Sequence, residues 1–198
     1  MVMKIINWKA VSIVLVVVTA VVFIVKWFLG DKELSFRYII DSIELSVTVI
    51  GAIAAVFVSC LWKWKMFQGW LVKIPNLSGE WTGNLYSDWV NPETGEKIAP
   101  IDATLKIKQS LIHTSCVMKT KEMVSYSNCS TFYIDEEKQI KQLIYTYISS
   151  PHQNIQQRSA MHQGTTVVYL DDNYDVTKLS GDYYTGRNTT GHMEFERN

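Results

Sequence analysis

Apolar residues form two long runs in the first third of the chain and short alternating runs in the remainder. The first long run, residues 10–25, contains no charged side chain and is framed by Trp8 and Trp27. With its flanks, residues 8–29, it would form a helix of roughly 33 Å, which crosses a hydrocarbon core about 30 Å thick. Because the run lacks a small-residue cleavage site, a retained span is favoured over a cleaved signal peptide.

A second apolar run covers about residues 40–62 after a short polar turn, so the pattern predicts a transmembrane hairpin within residues 1–76. Basic residues gather at its two outer ends, whereas the turn at 30–37 carries no net charge. The positive-inside rule therefore places both termini, and everything after the hairpin, in the cytoplasm. A collar of aromatic and lysine side chains at 62–74 suits the headgroup level, and Pro75 ends any helix there.

From residue 79 onward, strand-like segments alternate with turn signals, and no segment has convincing helical periodicity. Closing eight antiparallel strands into a barrel removes exposed edges and leaves an interior for side chains or one small ligand. We therefore predict an all-β, eight-stranded up-and-down, lipocalin-like barrel at residues 77–198, after the two-helix hairpin. Its predicted strands are 79–87, 98–109, 112–119, 123–134, 140–149, 157–170, 178–185 and 190–197.

The segment Leu-Ser-Gly-Glu-Trp-Thr-Gly at 77–83 joins the two predicted regions. A Gly-x-Trp at the head of a first strand often opens a small antiparallel barrel, with the indole closing one end. We expect Trp81 to be a structural plug of this kind and not a ligand contact.

Charge is divided unequally between these regions. Residues 1–76 contain 8 Lys and Arg against 4 Asp and Glu, and residues 77–198 contain 11 against 15. An acidic domain is a poor candidate for binding DNA or RNA polymers, because non-specific binding of that kind depends on phosphate neutralisation. An anionic ligand of this domain would have to be small and held by a few placed cations.

The second span carries small and polar residues at steps of three or four: Glu44, Thr48, Gly51, Ala55 and Ser59. Small residues at this spacing let helix backbones approach closely in lipid. Two interpretations stay open. The stripe packs on the first span of the same chain, or several chains associate along it, with Glu44 facing a seam or a wet cavity.

No catalytic constellation emerges from the sequence. There is no Gly-x-Ser-x-Gly, the four histidines have no partner at a telling spacing, and no phosphate-binding glycine-rich loop precedes a helix. The three cysteines, Cys60, Cys116 and Cys129, lack metal-ligand spacing and are expected to be free thiols. The chain is therefore predicted to be a non-enzyme without a cofactor or a metal.

The segment Tyr-Tyr-Thr-Gly-Arg-Asn-Thr-Thr-Gly at 183–191 joins the last two predicted strands and concentrates aromatic, hydroxyl, amide and guanidinium groups. Aromatic rings can stack on bases, and arginine can bind phosphate with two nitrogens. A polar hairpin, or an arginine packed across Trp81, is an equally good interpretation. The predicted ligand contacts are Tyr184, Thr185, Arg187 and Asn188 of this segment, with Tyr86, Tyr145 and Arg158 outside it.

Two spans, an aromatic and basic collar, the 77–83 segment, eight strands and the 183–191 segment together resemble one family over the whole chain. It is the two-transmembrane β-barrel effector family of bacterial cyclic-oligonucleotide-based antiphage signalling (CBASS). The resemblance implies a cytoplasmic barrel that binds a cyclic dinucleotide from a neighbouring CD-NTase synthase. It further implies homo-oligomerisation, disruption of the lipids of the inner membrane, and death of the infected cell.

Two other functions fit the same predicted architecture. A membrane-tethered lipocalin-like module would bind a lipid or another apolar ligand, since Gly-x-Trp and a late arginine are also typical of lipocalins. A constitutive membrane scaffold would bind no ligand at all. Fold alone does not decide between these functions.

Overall fold

The computed structural model describes residues 4–30, 35–153, 160–172 and 174–198. The chain divides into two compact units, a helical one within Val2–Lys73 and a β unit that comprises Ile74–Asn198. Two long apolar helices in the first unit and a closed eight-stranded antiparallel barrel in the second confirm the predicted fold class.

The helical unit contains α1, Trp8–Leu29, and α2, Phe36–Ser59, both long and apolar enough to cross a membrane. Asn7 caps α1 by accepting a hydrogen bond from the Ala10 N–H, and the Ser35 hydroxyl accepts one from the Tyr38 N–H. The first helix has the predicted bounds. The second begins four residues before the predicted position 40, because Ser35 supplies the cap.

A face of small hydroxyl residues on α2 packs against α1. Ser42 and Ser46 are buried there, and each hydroxyl donates to the carbonyl four residues earlier. The Tyr38 hydroxyl donates to the Phe23 carbonyl at 2.8 Å, and Lys26 lies 3.8 Å from the Asp41 carboxylate. These contacts hold the hairpin together along a face of α2 other than the predicted Glu44–Ser59 stripe.

The residues before α1 pair with the residues after α2. The Asn7 N–H donates to the Leu71 carbonyl, and the Lys73 N–H donates to the Ile5 carbonyl, both at 2.9 Å. The two outer ends of the hairpin therefore lie side by side, as two antiparallel spans require. Between them, the collar forms two 3₁₀ turns, Leu61–Lys63 and Lys65–Phe67.

The β unit is a closed barrel in which every strand is antiparallel to the next and the last strand pairs with the first. The strands are β1 Gly79–Ser87, β2 Ile101–Gln109, β3 Thr114–Thr120, β4 Met123–Asp135, β5 Ile140–Pro151, β6 His162–Tyr169, β7 Lys178–Thr185 and β8 Thr190–Arg197.

Three strands, β1, β7 and β8, have the predicted bounds, whereas β2, β3 and β6 begin later than predicted. Pro100 directly precedes β2 and has no N–H to contribute to a ladder. A turn in which the Ser110 hydroxyl accepts from the His113 N–H delays β3. Residues 157–159 of the sixth predicted strand lie outside the described residues.

One end of the barrel is closed around Trp81, which is fully buried. The indole N–H donates to the Leu77 carbonyl at 3.1 Å, and the guanidinium of Arg197 lies 4.5 Å from the ring centre. The side chain of Gln109 fixes the segment that precedes β1. It accepts a hydrogen bond from the Leu77 N–H and donates one to the Pro75 carbonyl. The arginine packed across Trp81 is thus Arg197 and not Arg187.

Candidate functional site

Inward-facing rows of β5 and β6 run from the closed end of the barrel to the open end. The pair Leu143–Val168 belongs to the fully buried core, and the next row is Tyr145–Thr166. Tyr147–Gly164 and then Ser149–His162 follow toward the open end. Side chains alternate between the two faces of a strand, so these four rows share the barrel interior.

Above the buried core, the barrel encloses a cavity of about 510 Å³. This volume lies within the range of about 300–1,000 Å³ that is typical of small-molecule sites. Its lining residues come from β1 to β7 and from the loops at the open end. They include Asp102, Cys116, Lys121, Glu122, Ser125, Tyr145, Tyr147, Ser149, His162, Thr166, Tyr183 and Thr185.

A broader depression of about 840 Å³ lies on the outer face of β1 and its neighbours. It is more open to solvent than the interior cavity, and ion pairs such as Lys178–Glu196 occupy its surface. Enclosure by side chains is what lets a site desolvate a small ligand. The interior cavity is therefore the better candidate site.

The floor of the cavity carries two hydroxyl groups, those of Tyr145 and Thr166, which are opposite each other on β5 and β6. The residues are 3% and 0% exposed, and neither hydroxyl meets the geometry of a hydrogen bond with any described residue, although Thr166 lies close enough to lower the pKa of Tyr145 against the larger effect of burial. Burial raises the pKa of the Tyr145 hydroxyl far above its usual value. The hydroxyls of Ser125 and Ser149, nearer the open end, satisfy each other at 2.9 Å.

Two tyrosine rings form the walls of the cavity by lying over glycines of neighbouring strands. A Cβ at Gly164 would lie 2.4 Å from the ring of Tyr147, and a Cβ at Gly191 would lie 2.5 Å or less from that of Tyr183. The missing side chains thus leave space for both rings. Burial raises the pKa of the Tyr147 hydroxyl to about 12, so both walls are uncharged at neutral pH.

Charged groups of the cavity gather near its open end. Lys121 and Glu122 form the tight connection between β3 and β4, which is held by hydrogen bonds to the Thr120 hydroxyl. Burial, and then the charge of Arg187, lower the pKa of His162. The guanidinium of Arg187 therefore acts electrostatically on a residue that lines the cavity, and His162 is neutral at pH 7.

The structure separates the predicted ligand contacts into four groups. Tyr145 and Thr185 line the cavity, and Arg187 and Asn188 lie in the hairpin at its open end. Tyr184 and Tyr86 lie on the outer face, 51% and 39% exposed. Arg158 lies outside the described residues.

The conformation of the hairpin explains two of its polar residues without a ligand. Asn188 has a φ of 58°, in the left-handed region that asparagine tolerates. The Thr185 hydroxyl lies 2.6 Å from the Thr189 hydroxyl and accepts from the backbone N–H groups of Arg187 and Thr189. Asn188 and Thr185 are therefore needed for the turn itself.

Several residues of the cavity were not predicted individually from the sequence: Cys116, Lys121, His162, Thr166 and Tyr183. Alternation offered a signal for Tyr183, because a residue two positions before Thr185 shares its face. The sequence contains no comparable signal for Thr166. Only its pairing with Tyr145 of β5 shows that it lines the cavity. Burial raises the pKa of the Cys116 thiol to about 12, which makes this cysteine a poor nucleophile at neutral pH.

The predicted stripe on α2 is exposed along its whole length, at Glu44, Thr48, Gly51, Ala55 and Ser59. Apart from the chain neighbours of Gly51 and the surrounding backbone of α2, no atom of the described residues lies within 4 Å of the position that a Cβ would take there. The stripe is thus not covered by α1, which contacts the Ser42–Ser46 face instead.

Strand pairing brings together a serine, a histidine and an aspartate on the outer face of β7 and β8. The Ser180 hydroxyl lies 3.1 Å from Nε2 of His192, and Nδ1 of His192 lies 2.8 Å from the Asp182 carboxylate. Hydrogen bonds from His192 and Tyr169 hold the pKa of Asp182 below its usual value. β7 is paired on both sides, so its backbone N–H groups serve the sheet, whereas acyl transfer needs free oxyanion donors. We interpret the cluster as a surface hydrogen-bond network.

Comparison with known proteins gives two matches. Residues 72–197 match the family described as Cap15, cyclic dinucleotide receptor domain. The protein named CD-NTase-associated protein 15 from Staphylococcus schleiferi is 28% identical over 196 residues, which cover 98% of this chain and 94% of that protein. Since the family model spans more than half of the chain, including all eight strands of the barrel, the chain belongs to the Cap15 cyclic dinucleotide receptor domain family.

Proposed function

We propose that this chain is a membrane-anchored CBASS effector whose barrel binds a cyclic dinucleotide inside the cavity above Trp81. Membership of the receptor-domain family supports the ligand class. The observation that carries the location is the cavity of about 510 Å³, which has uncharged aromatic walls. Lys121 lines its open end beside the carboxylates of Asp102 and Glu122, and Arg187 lies in the hairpin at the same end. A cyclic dinucleotide combines two flat bases with two anionic phosphates, and this distribution of groups matches it.

The barrel's acidic balance favours a small anion over a polymer. Its residues carry 11 basic against 15 acidic side chains, so bulk attraction for polyanions is weak. Placed cations such as Lys121 and Arg187 can still bind two phosphates individually. The ligand would be supplied by the CD-NTase synthase of the same defence system.

Purified full-length protein in detergent should bind a cyclic dinucleotide with a rise in melting temperature, and Arg187→Ala should weaken the affinity about tenfold. The expected loss corresponds to one charge-assisted hydrogen-bonding contact to phosphate. Calorimetric titration with cyclic di-AMP, cyclic di-GMP, cyclic GMP-AMP and cyclic di-UMP provides the measurement. Lys138→Ala is the matched control, because Lys138 is an exposed cation in the turn after β4, at the closed end of the barrel.

Three results would contradict this assignment in whole or in part. Stabilisation by fatty acids with no response to any cyclic dinucleotide would favour the lipocalin-like alternative. Binding of a cyclic dinucleotide that is unchanged in Arg187→Ala would remove Arg187 from the site. A protein that responds to neither class of ligand would be the constitutive scaffold.

We propose further that ligand binding drives chains to associate along the exposed stripe of α2 and thereby disrupts the inner membrane. Both termini and the barrel would then face the cytoplasm, where the synthase operates. The stripe offers small residues that another helix can approach closely, and Gly51 has open space around it. An assembly of several barrels would raise the effective concentration of the spans, so a weak contact in lipid suffices.

Gly51→Leu should abolish membrane permeabilisation in cells that also express a cyclic-dinucleotide synthase, with ligand binding unchanged. The leucine side chain enters space that is empty within one chain, so it leaves the hairpin intact and blocks only a close neighbour. Entry of a dye into cells measures permeabilisation, and chemical crosslinking of the chains in isolated membranes measures their association. Glu44→Gln should reduce both signals. Val47→Leu, at an exposed position off the stripe, is the control. Normal permeabilisation by both Gly51→Leu and Glu44→Gln would exclude the stripe as the interface.

A further inference from the structure

We infer that the ligand enters the barrel base first, that the Tyr145 and Thr166 hydroxyls hydrogen-bond the edge of this base, and that both phosphates stay at the open end. The inference rests on the proposed function and specifies how the site would use it. It assigns a role in base recognition to Thr166, and it divides the site into a part that reads the base and a part that holds phosphate.

The unpartnered hydroxyls at the floor indicate where a polar ligand group belongs. Buried polar groups in proteins are nearly always hydrogen-bonded, and an orphaned one calls for an explanation such as a ligand. Here two such groups lie opposite each other on adjacent strands, one row above the fully buried pair Leu143–Val168. Both belong to the lining of the same cavity. A polar ligand that reaches the floor would satisfy the two groups together.

The distribution of charge along the cavity determines which part of the ligand can reach that floor. The rows Tyr145–Thr166 and Tyr147–Gly164 contain no ionisable side chain that is charged at neutral pH. The charged lining residues lie at the open end, Asp102 at the start of β2 and Lys121 and Glu122 in the loop between β3 and β4. Burying a phosphate without a cationic partner is very costly. A base is uncharged and can be buried, so the base occupies the floor and the phosphates remain near Lys121 and Arg187.

The chemistry of the two hydroxyls suits a base and opposes an apolar ligand. Each hydroxyl can donate one hydrogen bond and accept others. The edge of every nucleobase presents donors and acceptors side by side, so a hydroxyl pair can match it. A fatty acid tail at the same place would leave both hydroxyls unpaired. The floor therefore discriminates between the cyclic dinucleotide and the apolar ligand of the lipocalin-like alternative.

The removal of either hydroxyl should weaken ligand binding without destabilising the empty protein. Tyr145→Phe and Thr166→Val delete one buried, unpartnered group each and keep the shape of the side chain. We expect the affinity for the best cyclic dinucleotide to fall about tenfold in each variant, and the melting temperature of the ligand-free protein to stay equal or rise by a few degrees. In both variants, the difference in affinity between cyclic dinucleotides with different bases should become smaller.

The matched controls lie on the outer face of the same barrel. Thr165 is adjacent to Thr166 on β6, so its side chain points away from the cavity. Thr165→Val should therefore leave the affinity for the ligand unchanged. Tyr169→Phe removes a hydroxyl that donates to Asp182 at 2.6 Å, so it should lower the melting temperature and leave affinity unchanged. A gain or no change in stability combined with a loss of affinity is therefore specific to the floor.

Salt dependence separates the two parts of the site. Contacts to phosphate contribute to the slope of the logarithm of affinity against the logarithm of salt concentration, whereas contacts to a base edge do not. Arg187→Ala should reduce the slope, and Tyr145→Phe and Thr166→Val should preserve it. A reduced slope in the two hydroxyl variants would place phosphate at the floor and overturn the inference.

The failure of the inference can be told apart from the failure of the proposed function. If the unaltered protein binds no cyclic dinucleotide, the proposed function fails. If it binds one and both hydroxyl variants bind it equally well, the proposed function stands and the inference fails. If both variants lose affinity only as far as they lose melting temperature, the hydroxyls are structural and the inference also fails.

Discussion

Replacing Trp81 by alanine is expected to lower the free energy of unfolding of the barrel by about 3–5 kcal/mol. The indole is fully buried in the core, where it packs with residues such as Leu105 and Phe195. The substitution leaves a cavity at the closed end of the barrel and deprives the Leu77 carbonyl of its donor. It also removes the ring on which the Arg197 guanidinium stacks. Several contributions thus act in the same direction.

Urea unfolding of the full-length protein, followed by far-UV circular dichroism of the strands, measures this loss. Trp81→Phe keeps a ring and loses only the indole hydrogen bond and part of the packing. Its free energy of unfolding should therefore lie between those of the wild-type protein and the alanine variant. Trp89→Ala is the control, because Trp89 is 41% exposed in the loop after β1 and should change stability by less than about 0.5 kcal/mol. A loss below about 1 kcal/mol in Trp81→Ala would contradict the role of Trp81 as the plug.

Most of the fold is predictable from the sequence because its signals are local. The apolar run fixed the length of α1, and turn residues delimit β1, β7 and β8 at the predicted positions. The exceptions also have local causes. Pro100 delays β2, and the Ser35 cap lets α2 begin at Phe36.

The site was less predictable because it depends on strand register. Tyr183 and Tyr184 are adjacent in the sequence, yet only Tyr183 lines the cavity. A shift of one residue exchanges the two faces of a strand, and composition does not reveal it. The pairing of Tyr145 with Thr166 has the same origin, since the two residues are separated by 21 positions and meet only through the register of β5 and β6.

Long-range partners were also assigned only by the structure. From the sequence, the arginine that could pack across the ring of Trp81 is Arg187 of the 183–191 segment, and nothing there points to Arg197. Antiparallel pairing of β1 with β8 places Arg197 opposite Trp81 and leaves Arg187 at the other end of the barrel. On α2, likewise, two different faces carry small residues, and the contact with α1 uses Ser42 and Ser46.

Replacing both Tyr147 and Tyr183 by leucine is expected to weaken the binding of a cyclic dinucleotide by about a hundredfold or more. Stacking of a base on an aromatic ring contributes about 1–3 kcal/mol, and the cavity offers two such rings. Leucine keeps an apolar side chain over each of Gly164 and Gly191, so the backbone at these glycines stays covered. The effect on affinity therefore comes from the lost ring faces and less from collapse of the wall.

Calorimetric titration of the full-length double variant measures the affinity, and the melting temperature of the ligand-free protein shows whether the barrel remains folded. The matched control is Tyr126→Leu with Tyr184→Leu, which removes two exposed rings from the outer face and should change affinity by less than about twofold. Each single variant, Tyr147→Leu or Tyr183→Leu, should lose about tenfold if each ring stacks on one base. Unequal losses in the two single variants would show that only one of the rings stacks on a base.

Affinity within about threefold of wild type in a folded double variant would exclude both rings as stacking surfaces. The ligand would then be held by its phosphates at the open end alone.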